Sequence, residues 1–106
     1  YPTQSVEAER HVINTDLVTQ DRHPALDRIP PGTRFSPEFY DHMIFQPGPA
    51  GQVLVRNTFG DPVYVAGEVG KGRIVFSGCY YGYGRPVDGA EAELLAGCLR
   101  WLAEPR

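Results

Sequence analysis

Ser77-Gly78-Cys79-Tyr80-Tyr81-Gly82-Tyr83-Gly84 gathers a thiol and three phenols into eight residues, more side-chain chemistry than any other stretch of the chain. A thiol at Cys79 acts as a nucleophile only if a neighbouring base or a helix N-terminus holds it as thiolate. Gly78-Cys79-Tyr80-Tyr81-Gly82 looks like a nucleophile elbow, but that pattern puts one residue between the glycine and the nucleophile, and here the next helix begins well downstream. The plain alternative is a small buried side chain where the sheet edge is tight. Tyr80, Tyr81 and Tyr83 suit sugar recognition, because their ring faces cover apolar C–H surface while the hydroxyls make hydrogen bonds; equally, they could plug the sheet end against a helix. Glu38, between Pro37 and Phe39-Tyr40, is a candidate general acid or base if its surroundings desolvate it, and otherwise caps or salt-bridges locally. His23, before Pro24, is the last polar candidate, either touching a ligand or tying a loop to the backbone.

The elements that must position these groups are legible from pattern. Val63-Tyr64-Val65-Ala66 is β-branched and aromatic, Gly70-Lys71-Gly72 supplies a tight turn, and Ile74-Val75-Phe76 follows without polar interruption, so residues 62–78 predict a hairpin. The unbroken apolar run at 74–76 reads as a strand buried on both faces, hence in the middle of a sheet, with the glycine-aromatic lip just past its end. Downstream, Asp88 and Glu91 have the spacing of a capping box, and Leu94, Leu95, Cys98, Leu99 and Leu102 repeat at helical intervals, extended by Trp101 and stopped by Pro105. Glu93, Gly97, Arg100 and Glu104 fall on the opposite side.

Upstream, residues 1–8 read as an N-terminal tether and 9–104 as part of an α/β domain, its C-terminal half. A short strand is expected at 9–15, one or two helical turns from Pro24 to Ile29, an irregular segment from Arg34 with a strand at 42–46, a loop at 46–51 and a strand at 52–57 with Val53 and Val55 on one side. Such an order leaves one sheet face poorly covered, which calls for a partner chain, another domain or an upstream half of the same fold. The start at Tyr1, with neither a basic nor an apolar leader, reads as a piece of something longer.

Composition narrows the function. At 106 residues and a formal net charge of −3, the chain can bury one modest core, and its 10 basic residues are scattered, which leaves no footprint for nucleic acid. No apolar run approaches the roughly 20 residues that span a bilayer. Two cysteines, Cys79 and Cys98, make no disulfide framework, and His11, His23 and His42 are dispersed, so no metal or cofactor motif is present.

Taken together, Asp21-Arg22-His23-Pro24 with its short apolar helix and Pro30, Glu38-Phe39-Tyr40, Pro62-Val63, Gly70-Lys71-Gly72-Arg73 with a hydrophobic strand, and Arg100-Trp101-Leu102 resemble the C-terminal half of the class I glutamine amidotransferase-like superfamily. The likeness is nearest to its trehalose-utilisation (ThuA-like) branch and to the related domain of β-galactosidases. It implies a flavodoxin-like partial sheet, mostly parallel, with a late antiparallel hairpin and the C-terminal amphipathic helix packed on it. The family's nucleophilic cysteine belongs to an N-terminal half, and its His-Pro-Glu sequence after the late strand is replaced here by Gly78-Cys79-Tyr80-Tyr81. The resemblance therefore implies a non-catalytic or incomplete domain of a larger carbohydrate-active protein, supporting assembly or framing a sugar site. The alternatives are a fragment of a ThuA-like sugar-processing enzyme and a stand-alone interaction module.

Overall fold

Gly70 takes φ +59° at the first position of a two-residue loop, the placing that a type II′ turn demands, and Val69 pairs with Gly72 across it. That turn joins two of the elements in the computed structural model, which describes residues 3–12, 16–20, 22–37, 42–79 and 87–104. In chain order these are β1 (Thr3–Val12), β2 (Leu17–Thr19), a 3-10 turn at Pro24–Leu26, β3 (Arg34–Phe35), β4 (His42–Pro47), β5 (Gln52–Asn57), β6 (Pro62–Val69), β7 (Gly72–Ser77) and α1 (Gly89–Ala103). The result is a mixed α/β fold: a five-stranded sheet in the order β3-β2-β5-β6-β7, a separate ribbon of β1 and β4, and one C-terminal helix.

Every pairing among the described strands is antiparallel, so they contain none of the parallel pairs that a flavodoxin-like sheet uses. Residues 3–8, expected as part of a tether, lie in β1, which pairs with β4. A further difference concerns the middle of the sheet. β7 is an edge strand of the five-stranded sheet and Val75 is only partly buried, whereas β6 carries four consecutive buried residues, Val63 to Ala66. The apolar run of β7 misled because an edge strand can still be packed on both faces. Val75 packs against the main core, and Phe76 meets Phe45 of β4 with ring centroids 5.8 Å apart.

β5 carries a bulge. Val53 pairs with Val65 but Val55 pairs with Tyr64, the next residue, so Val53 and Val55 fall on opposite faces rather than together, and Leu54 and Val55 are both fully buried.

The helix also turns a different side inward. Glu91, Leu94, Gly97, Cys98 and Trp101 are buried, while Leu99 is 65 % and Leu102 39 % exposed. Gly97 decides this: a Cβ there would overlap the carbonyl of Ala25, so the helix lies directly on the backbone of the 3-10 turn. Leucine is the stronger apolar signal in sequence, but only glycine permits that approach. The Asp88 half of the expected capping box is missing, since the Asp88 side chain makes no cap hydrogen bond, and Glu91 is buried.

Candidate functional site

Of the six sequence-predicted site residues, Glu38, Tyr80, Tyr81 and Tyr83 lie outside the described residues. Cys79 and His23 are described, and the fold sends them to opposite ends of the sheet. Cys79 follows the end of β7, while His23 meets the edge of Trp101, which Arg73 at the start of β7 covers. Cys79 lies six residue steps beyond Arg73, or about 20 Å at 3.3 Å per step of extended chain.

At the Cys79 end, the chain leaves β7 through Gly78, whose N–H donates to the Val63 carbonyl while its own carbonyl accepts from Met43 N–H at 2.9 Å. A Cβ at Gly78 would overlap the Met43 carbonyl, so glycine lets β4 cross here. This crossing sets Cys79 opposite His42 in an antiparallel bridge, and directly opposed residues place their side chains on one face. The thiol is half-buried against the core, and the Cys79 N–H donates to Ser77 Oγ at 3.2 Å. His42 is fully buried, with Nε2 3.2 Å from Asn57 Nδ2. A cysteine, a histidine and an asparagine are thus in sequence, a set of residue types able to run thiol chemistry.

The hydrogen bonds show that this set is not armed. Asn57 Oδ1 accepts two backbone N–H groups, from Phe59 at 3.0 Å and Asp61 at 2.9 Å, which fixes which end of the amide is oxygen. The amide nitrogen therefore faces His42 and donates to Nε2, so the proton of the neutral ring sits on Nδ1. A base for Cys79 needs a free lone pair, and an imidazolium would press a second N–H against the Asn57 N–H. Asn57 meanwhile builds the β5–β6 turn, where Gly60 takes φ +89°. His42 and Asn57 are 15 residues apart and were not singled out from sequence; Asn57 before Gly60-Asp61 was readable as a turn residue, but its pairing with His42 follows from the strand crossing alone.

At the other end, His23 caps the 3-10 turn: its Nδ1 accepts the Ala25 N–H at 3.1 Å, so Nε2 carries the proton. The ring meets Trp101 edge-on, with centroids 4.6 Å apart and planes at 71°. Arg73 lies 5.0 Å over the same indole and donates from Nη1 to the Trp101 carbonyl at 2.6 Å. Burial pushes the His23 pKa below the ordinary histidine value, the Arg73 charge adds to this, and Asp27 opposes it. The ring is a neutral donor at physiological pH. Two recesses open beside it: one of about 370 Å³ against Arg22, Pro24, Asp27 and Pro31, and one of about 210 Å³ against Ala50, Gln52, Ala66, Gly67, Glu68 and Trp101. Sequence reasoning found His23 but not Trp101 or Arg73 as its partners, because they sit 78 and 50 residues downstream and meet only through the sheet.

Neither cysteine is in a disulfide, and burial raises the Cys98 thiol pKa to about 11. Among the described residues no group of three or more His, Cys, Asp or Glu could hold a metal ion, and no helix is long and apolar enough to cross a membrane. No family model, curated protein or solved structure matches the chain.

Proposed function

We propose that this chain is a non-catalytic α/β unit of a larger carbohydrate-active protein, supporting assembly or framing a sugar site. The observation that carries the non-catalytic part is the commitment of both described imidazoles: Asn57 occupies the acceptor of His42 and Ala25 occupies the acceptor of His23, so neither can take a proton from a nucleophile. The late hairpin followed by an amphipathic helix supports kinship with amidotransferase-like domains. In that reading the parallel, flavodoxin-like strands belong to an upstream half, and this chain supplies the antiparallel end. Support for assembly comes from the exposed Leu99 and Leu102 on α1.

The test is a turnover screen on the protein and its Cys79→Ser variant, with glutamine, aryl esters and aryl glycosides, alongside alkylation of Cys79 by iodoacetamide followed by mass spectrometry. Expected are no turnover above buffer and alkylation at neutral pH no faster than in the urea-unfolded chain. Hydrolysis that Cys79→Ser abolishes, or alkylation faster in the folded protein, would overturn the reading.

A further inference from the structure

We infer that the recess between the hairpin end of the sheet and the C-terminal turn of α1 binds one neutral, polyhydroxylated ring, a single monosaccharide unit. This rests on the carbohydrate half of the preceding reading and is independent of its non-catalytic half. The recess of about 210 Å³ is floored by Ala66, Ala50 and the rim of Trp101 and edged by His23, Gln52, Gly67 and Glu68. At about 30 Å³ per water, it holds the equivalent of about seven waters, the scale of one sugar ring.

The polar groups around it are oriented before any ligand arrives. His23 is held by its Ala25 bond and its Trp101 contact, and among the described residues no protein group accepts from its Nε2–H. Gln52 spends an Nε2 hydrogen on the Arg22 carbonyl at 3.0 Å, which orients its Oε1 as an acceptor. Arg22 itself lies outside the recess, at φ +65°, a left-handed conformation that a residue with a Cβ rarely adopts, and reaches the site only through the carbonyl that holds Gln52. Glu68 stands at the rim, on the exposed part of β6. A fixed donor from His23 and a fixed acceptor from Gln52 above an apolar floor match ring hydroxyls over a C–H face. Arg73 over the Trp101 ring and the Glu68 carboxylate place both signs of charge at the recess, so neither a strong anion nor a strong cation is selected.

The experiment is a two-dimensional amide NMR titration of the full chain with glucose, galactose and mannose, and with glucuronate and glucosamine as charged counterparts. Saturable shifts are expected at Gly67, the Gln52 side-chain amide and the Trp101 indole, with a millimolar Kd for at least one neutral sugar and tenfold weaker binding of its charged counterparts. Ala50→Trp fills the recess from an exposed loop position and should weaken binding at least tenfold without moving the melting temperature. Absence of saturable shifts with every neutral sugar, shifts confined to other residues, or undiminished binding by Ala50→Trp would each overturn the inference. None of these results bears on Cys79 turnover, so the two proposals fail separately.

Discussion

Removing the Asn57 side chain strips three groups at once. In Asn57→Ala the Phe59 and Asp61 N–H groups lose their acceptor, and the fully buried His42 Nε2 loses its donor. The two partly buried backbone bonds are worth about 1 kcal/mol each, and orphaning a buried ring nitrogen costs about 2 kcal/mol, so the variant should lose about 4 kcal/mol. Against a total stability of roughly 5–15 kcal/mol this is severe. At about 4 °C per kcal/mol for a chain of this length, the melting temperature should fall by about 15 °C. Asn57→Asp separates the contributions. Its carboxylate keeps both backbone donors but presents oxygen to Nε2, so it should be less damaging and should move the His42 proton from Nδ1 to Nε2. Urea unfolding followed by the fluorescence of Trp101, the single tryptophan, gives the energies, and the ¹⁵N shifts of the imidazole report the tautomer. A loss below about 1 kcal/mol in Asn57→Ala, or a wild-type His42 protonated on Nε2, would refute the reasoning, and with it the argument that Cys79 is unarmed.

Three further outcomes follow from the packing and charges. Gly97→Ala should destabilise by about 1–3 kcal/mol through overlap with the Ala25 carbonyl, although the same change in an exposed helix would stabilise by up to about 1 kcal/mol; urea midpoints decide it. Leu99→Lys should change stability by less than about 0.5 kcal/mol, whereas Leu94→Ala should cost about 2–5 kcal/mol, a contrast that thermal melts would lose if the leucine stripe faced inward. Because the folded His23 pKa lies below its reference of 6.5, the unfolded chain binds the proton more readily, so stability is full above that pH and falls as pH drops through 6.5 toward the folded value. His23→Asn should flatten that part of a stability–pH curve. It should leave untouched the loss at lower pH expected of Asp16, whose pKa the Arg34 and Ser36 hydrogen bonds hold below 3.8.

Local pattern determined a good deal of this protein by itself. The hairpin at 62–77, the strand at 52–57, the proline-led turn at 24–26 and the terminal helix all arise from neighbouring residues, through turn geometry and side-chain periodicity that a short segment enforces alone. The lip was recognisable as unusual for the same reason, and Cys79 does sit at a strand end. Tertiary structure decided everything that depends on two distant segments meeting. It put β7 at the margin of its sheet, turned α1 so that Gly97 rather than Leu99 faces inward, and set His42 between Cys79 and Asn57. The physical reason is that apolar spacing records how much surface a segment wants buried, not which neighbour buries it. Two backbones can approach closely only where a glycine leaves room, and Gly78 and Gly97 gave no sign of that role until Met43 and Ala25 lay against them.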